Sequence, residues 1–352
     1  MNFDPYTQEP IHAHGIWRAT QCLAKEHSVM EHFRVQLSGL GWQSEDDHGK
    51  FWRRGDRRVI VVLVDDVRST HPDKTIDLPY LHDADTTIIT DTRINCPTMY
   101  RVWRLPDSFF GIYHTDAAAP AWHPERDYVF SINRLDTMRM KLFLELAKRV
   151  HLRHGWVNFN GLSRFHGNQF DPTDLPQANF EAQWQSLGDE DREQWRASHR
   201  LLSMMMPVKN YDIAHHDIYH RGHNVIECET YAGDNSIAFS EKIFRLLTQP
   251  VPWNCYAGRY GMAWLRSMGF DIVDDVMDHA HFDGLKETEN KCRIFIWKSL
   301  SNIHWIKSQD QERITQRFQK ACDHNRNLLS GMAQRWPQEF QSWCDHYLDQ
   351  LS

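Results

Sequence analysis

The chain has 352 residues, 41% hydrophobic and 25% charged, a balance that excludes a disordered protein, and at this length a single ordinary core gives way to two of roughly 120 to 220 residues. A formal net charge of -7 excludes a global positive field of the kind that coats nucleic acid. The longest apolar runs fall far short of the ~20 residues of a membrane span, and a start carrying Asp4 and Glu9 lacks the apolar core of a secretory signal.

Seven scattered cysteines without a C-x-x-C pair read as reduced thiols, so the expected location is a cytosolic compartment. At 16–38, apolar positions recur at helical spacing (Ile16, Ala19, Cys22, Leu23, then Val29, Met30, Phe33 and Leu37), and Gly39 and Gly41 end the run. Segments 50–54 and 57–64 predict two strands joined by Gly55 and Asp56. The second contains the unbroken run VIVVLV, as expected of a strand buried on both faces. Shorter strands are predicted at 86–90 and 109–113. All three apolar segments lead into acidic residues: Asp65 and Asp66, then Asp91, then Asp116. Ligands of open α/β sheets bind beyond the carboxyl ends of the strands, so Asp66 first, then Asp65, Asp91 and Asp116, are the candidate catalytic bases. A turn acid after a buried strand is the competing role. Two basic stretches with aromatics, at 50–58 and 100–104, supply Arg53, Arg54, Arg101 and Arg104 as candidate acceptor contacts.

Proline residues 120 and 124 open a new unit. A strand at 128–132, a helix at 138–150 and a strand at 155–159 follow, an order that suits a parallel sheet. The boundary is therefore placed at 120–126, dividing the chain into domains over 1–125 and 126–352, which the resemblance given below implies are acceptor-side and donor-binding. Residues 161–187 form a long surface excursion, and 189–206 a helix. Further strands are predicted at 224–228 and 252–256, further helices from 241 and over 260–268, and a nearly all-helical tail at 309–351 broken near Pro337.

A nucleotide-sugar needs a cationic cradle for its diphosphate and a carboxylate for its ribose hydroxyls. Ser240, Glu241 and Lys242 supply a helix cap, a carboxylate and a cation in one turn. The stretch NVIECET at 224–230, AFSEKIF at 238–244, then Pro252 and Gly258, resembles the donor-binding signature of alpha-1,3-fucosyltransferases and related GT-B glycosyltransferases. LRSMGFD at 265–271, with Asp278 and Asp283, resembles a pattern in capsule, lipopolysaccharide and bacteriophage-encoded members, although His281 and Phe282 stand where another aromatic is usual. Asn133 and Arg139 are similar to an Asn and Arg between the first strand and helix of the donor domain, and His324 with Asn325 also resembles these relatives. The resemblance covers about residues 128–330. It implies two Rossmann-like domains facing a central cleft. It also implies that Glu241 holds ribose, that Lys242 and Arg139 neutralise the diphosphate, and that Glu229 lines the sugar or ribose pocket.

The expected activity is sugar transfer from a nucleotide-sugar to an acceptor hydroxyl, without metal or other cofactor. A glycan or glycolipid is the preferred acceptor. The alternative is a hydroxymethylated base in viral DNA, which the basic aromatic stretches favour through stacking and phosphate contact. A non-catalytic relative that binds a nucleotide or sugar keeps Glu241 and Lys242 but needs no base. His215, His216, His220 and His223 would suit a metallohydrolase, but they lack His-Glu-x-x-His spacing or a cysteine partner.

Overall fold

The computed structural model describes residues 30–31, 33–47, 49, 51–62, 86–90, 93–94, 101–113, 121–132, 137–150, 152–159, 187–205, 216–229, 236–237, 239, 241–286 and 289–348. In chain order the elements are α1 (30–39), β1 (Gln43–Ser44), β2 (Phe51–Arg54), β3 (Arg57–Val62), β4 (Thr86–Thr90), β5 (Arg93–Ile94), β6 (Arg101–Arg104), β7 (Tyr128–Ile132), α2 (Thr137–Arg149), β8 (Gly155–Phe159) and α3 (Asp189–Met205). They continue with β9 (Val225–Cys228), β10 (Ser236–Ile237), α4 (Glu241–Leu247), β11 (Trp253–Tyr256), α5 (Gly261–Ser267), α6 (Ala280–Asp283), α7 (Glu289–Ser308) and α8 (Gln311–Tyr347). The class is mixed α/β, with parallel strands in both larger sheets.

The first sheet has the order β1-β2-β3-β4-β6. Its edge is antiparallel because β2 and β3 form a hairpin through Gly55, whose φ of 61° is the left-handed turn conformation that glycine adopts without strain. From β3 onward the pairing is parallel, with Ile60 opposite Ile88 and Ile88 opposite Val102. Strand β4 is buried along its whole length, matching its continuous apolar and threonine sequence.

The second sheet runs β8-β7-β9-β11 and is wholly parallel. The chain leaves β7 toward β8 on one side, then returns to the other side for β9 and β11. Successive residues of β9 therefore feed different cores. Val225 packs with Ile243, Phe244 and Leu265 on one face, and Ile226 and Cys228 pack with Phe143, Phe295 and Ile296 on the other. A small antiparallel pair, β5 with β10, links residues 93–94 to 236–237.

Helix α8 joins the two ends of the described chain. Phe340 lies edge-on to Phe33 at 5.1 Å, Trp343 to Phe33 at 6.4 Å, and Tyr347 sits 4.7 Å from Trp103. Full burial of each such ring contributes about 1.5 to 3 kcal/mol. That packing explains one departure from expectation: the helix continues through Pro337 instead of breaking there. Pro337 sits on the exposed face of the helix, and aromatic contacts hold the turn beyond it.

The predicted strand at 109–113 is instead a 3-10 helix, Asp107–Tyr113. A Cβ on Gly111 would lie 2.1 Å from the Ala333 backbone nitrogen, so α8 passes directly over this glycine. Phe110 turns into the core against Phe244 (5.7 Å) and Trp264 (5.6 Å), and tertiary packing overrides the apolar run. Elements β1, β5, β6, β10, α6 and α7 carried no expectation. Strand β6 was hidden by its basic residues. Helix α7 distributes apolar residues around its circumference, with Phe295 and Ile296 buried and Trp297 49% exposed, which blurs the helical period.

Candidate functional site

The order of the second sheet reverses direction between β7 and β9, and the crevice beyond the carboxyl ends of these two strands is where open α/β sheets bind ligands. Ionisable side chains converge there. Glu227 and Glu229, two residues apart, share one face of the chain leaving β9, and each is 1% exposed. Glu229 Oε1 accepts from the Ile243 amide at 3.1 Å, and its own amide donates to the Tyr256 carbonyl at 2.9 Å. The carboxylate thus ties the end of β9 to the first turn of α4, while the backbone ties it to the end of β11.

Glu227 accepts from the Tyr219 hydroxyl at 2.8 Å and from the Cys228 amide at 3.2 Å. Burial pushes its carboxyl above the usual range, opposed by the positive charge of Lys242, then by these two hydrogen bonds and by Arg245. Lys242, in the first turn of α4, is itself 5% exposed. Burial raises the neighbouring Tyr219 hydroxyl, with the Glu227 charge adding to it, and drives the Cys255 thiol well up, with Glu229 and Glu227 adding to it. Arg139 reaches the same place from the other side of the crevice. It stands in the first turn of α2, is 1% exposed, and its Nη2 is 3.5 Å from the Cys228 carbonyl oxygen.

A second charged pair borders the end of β11. Lys291 Nζ, 1% exposed, donates to the Ala257 carbonyl at 3.0 Å and lies 4.8 Å from the centre of the Tyr256 ring. Asp283 accepts from the amides of Met262 and Ala263, both at 2.9 Å, and so caps α5. Burial raises its carboxyl against those two hydrogen bonds.

Of the residues singled out from sequence, Arg139, Glu229 and Lys242 are brought to this edge, and Glu241 opens α4 beside them. Asn133 and Ser240 lie outside the described residues, as do Asp65, Asp66, Asp91 and Asp116. The four acceptor arginines do not come together. Arg53 and Arg54 end β2, at the amino side of the parallel strands, and Arg101 begins β6 there; Arg104 stands at the opposite, carboxyl end of β6. Arg53 and Arg58 both approach Glu45, at 4.0 and 3.9 Å. Arg104 pairs with Asp107 at 2.6 Å and lies 3.7 Å over the Trp264 ring of α5. Among the histidines, His220 is fully buried with Nε2 2.7 Å from Gln249 Oε1. No three His, Cys, Asp or Glu among the described residues form a metal-binding group.

Glu227 and Lys291 were not foreseen. Glu227 had a readable signal, since it lies two residues before Glu229 on a strand and must share its face. Lys291 had none: a lysine in the opening turn of a helix reads as solvated. Of the later motif residues, Asn325 holds a turn of the fold. Asn325 Oδ1 accepts from the Asp271 amide at 2.8 Å and its Nδ2 donates to the Leu247 and Asp271 carbonyls, so α8 grips the turn after Phe270.

A cavity of about 410 Å³ lined by Trp122, Pro124, His223, Lys307, Gln311 and Thr315 lies at the other end of the sheet, where the chain enters β9. No helix among the described residues is long and apolar enough to cross a membrane. Comparison of the chain with protein-family models, with curated proteins and with solved structures returns no match.

Proposed function

We propose that this chain is a glycosyltransferase built on two Rossmann-like domains, which takes a sugar from a nucleotide-sugar held at the carboxyl edge of the β8-β7-β9-β11 sheet. The observation that carries this reading is the convergence of Arg139, Glu229 and Lys242 on the β7–β9 crevice, from three separate segments of the chain. Buried ions cost desolvation energy that hydrophobic packing would avoid, and clustered ionisable groups at a ligand-binding edge mark a functional site. Lys242 and Arg139 are the cations for the departing diphosphate, and Glu229 lines the ribose or sugar pocket. Glu241 takes the ribose hydroxyls.

In the reaction, an acceptor oxygen bonds to the anomeric carbon as the bond to the diphosphate oxygen breaks. The acceptor proton passes to a carboxylate, with Asp66 nominated first and Asp65, Asp91 and Asp116 after it. The negative charge growing on the diphosphate is met by Lys242 and Arg139. No step calls for a metal. The contact of Arg104 with Trp264 supports a cleft between two carboxyl edges, because it joins the end of β6 to the helix that follows β11.

A glycan or glycolipid acceptor fits better than DNA. The basic residues of β2 and the start of β6 stand at the amino side of their sheet, away from the edge that would face the donor.

The test is thermal denaturation in EDTA with a panel of nucleoside diphosphates. At least one should raise the melting temperature by mass action. Lys242→Ala should weaken binding of that compound by one to two decades, the worth of a charge-assisted contact of roughly 1.5 to 3 kcal/mol. No shift with any member of the panel sinks the reading.

A further inference from the structure

At the same edge, Tyr260 is presented in a way that core packing does not explain. It follows β11 by four residues, is 44% exposed, and holds φ at 65°. The left-handed region is an outlier for a bulky residue, and glycine is the ordinary occupant. The surroundings nevertheless hold Tyr260 there. Its amide donates to the Asp283 carbonyl at 2.9 Å, and its carbonyl accepts from the Trp264 amide at 3.0 Å. Arg259 fixes the side chain: its Nε donates to the Gly284 carbonyl at 2.8 Å, its Nη2 donates to the Tyr260 hydroxyl at 3.1 Å, and its guanidinium carbon stands 4.8 Å from the ring centre. A disfavoured backbone conformation that neighbours over-determine is found at ligand clamps and active sites.

The position gives the ring a ligand. The loop from 257 to 260 is bonded on one side to Lys291 through the Ala257 carbonyl, and its preceding residue, Tyr256, accepts from the Glu229 amide. On the other side Gly261 abuts Phe239, the residue two before Glu241, with 3.6 Å between the Phe239 ring and a Cβ built on the glycine. The loop that presents the exposed ring is thus tied to the end of β9 through Tyr256 and, through Gly261 and Phe239, to the segment that leads into α4.

We propose that Tyr260 is the platform on which the base of a nucleoside diphosphate stacks, with Arg259 as the residue that holds the ring in place. This rests on the donor-binding reading above and adds the base subsite to it. Every nucleobase offers a π-face, so the platform contributes affinity for the base as such. The diphosphate is the business of Lys242 and Arg139. The division is testable because the two parts of the ligand can be offered separately.

The experiment is calorimetric titration of the full chain with the nucleoside diphosphate that gives the largest thermal shift, and with inorganic pyrophosphate. Tyr260→Ala should weaken the nucleotide about tenfold or more, while Tyr260→Phe stays close to wild type, since stacking needs the ring and not the hydroxyl. Pyrophosphate binding should be the same in all three proteins. Tyr260→Gly guards against misfolding: glycine adopts this φ freely, so the variant loses the ring without adding strain, and it too should lose nucleotide affinity. Undiminished nucleotide binding by the alanine and glycine variants overturns the platform and leaves the donor site standing. An equal loss for pyrophosphate also overturns it, because the effect would then be general. If the wild-type protein binds no nucleoside diphosphate, both proposals fall together.

Discussion

The two ends of the β8-β7-β9-β11 sheet solve the same problem with different chemistry. Where the chain enters the strands, the buried polar groups are mainly side-chain amides, with the imidazoles of His220 and His279 beside them. Asn224 Nδ2 donates to Asn254 Oδ1 at 2.8 Å and to the Ser299 carbonyl at 2.9 Å, and Asn302 Nδ2 reaches the same Asn254 oxygen at 3.1 Å. Where the chain leaves the strands, Glu227, Glu229, Arg139, Lys242 and Lys291 are all buried and all of ionisable type. Amide pairs contribute a modest net stabilisation of about 0.5 to 1.5 kcal/mol per hydrogen bond, whereas buried ions at best offset their own desolvation. The entering end is therefore organised for stability. The leaving end concentrates buried charge, and this contrast is the physical ground for reading it as a binding site.

The contrast breaks first, if it breaks, at Asn224. Asn224→Ala removes two buried hydrogen bonds and should cost about 1 to 3 kcal/mol in chemical denaturation, with ligand affinity of the folded protein unchanged. A loss well under that range would erase the distinction between the two ends.

At the leaving end the opposite pattern is expected. Glu227→Gln combined with Lys242→Met removes one charge of each sign from the buried group, so it should leave unfolding free energy within about 1 to 2 kcal/mol of wild type. Nucleoside diphosphate affinity should fall by one to two decades in the same protein, the equivalent of roughly 1.5 to 3 kcal/mol. Stability and binding falling together would mean that these charges serve the fold.

A third, smaller effect concerns ion pairs away from both ends. Arg317 bonds both oxygens of Asp271, at 2.8 and 2.9 Å, and both of Asp275. Burial pushes the Asp271 carboxyl up, but Arg317 outweighs it and holds it below the usual range; for Asp275 the Arg317 hydrogen bonds dominate in the same direction. A carboxylate depressed in the folded protein stabilises above the unfolded value of about 3.9 and loses that contribution as pH falls through the lower folded value. Wild type should exceed Arg317→Gln by about 1 kcal/mol at neutral pH, the ceiling for a half-exposed pair, and the gap should close in strong acid. A gap that persists or widens in acid would show that Arg317 acts by packing.

The smallest effect is expected at Arg53 and Arg54, both exposed at the hairpin. Replacing both with alanine should change stability by no more than about 0.5 kcal/mol. Any low-salt retention on DNA should be unaltered. A drop of about two units in the salt slope of DNA binding would instead revive the nucleic-acid acceptor.

The second sheet was legible because its strands are buried on both faces and its helices on one, so β7, α2, β8, β9, α4 and β11 each carry a clean pattern bounded by turn residues. Legibility failed where distant packing decides the conformation. Nothing near residue 111 announces that α8 will pass over it, and nothing near Pro337 announces that Phe340 and Trp343 will anchor the helix beyond it. The site followed the same division. Arg139, Glu229 and Lys242 were nominated by their resemblance to family motifs, whereas the topology of β7 and β9 was needed to see that they lie at one edge. Glu227 shows the limit of pattern reading, since a lone glutamate in an apolar strand looks like an interruption until its tyrosine and amide partners are seen.

The reach of α8 back to α1 has a consequence for how the protein is made. Gln36 bonds Gln341, 305 residues further along the chain, and Phe33 waits for Phe340 and Trp343 to cover it. At ribosomal speeds of about 5 to 20 residues per second, α1 emerges from the ribosome tens of seconds before its packing partners. During that interval its apolar face is uncovered, a standing opportunity for chaperones and a window for aggregation. Synthesis arrested shortly before residue 340 would release a chain whose second sheet is complete while α1 still lacks its cover.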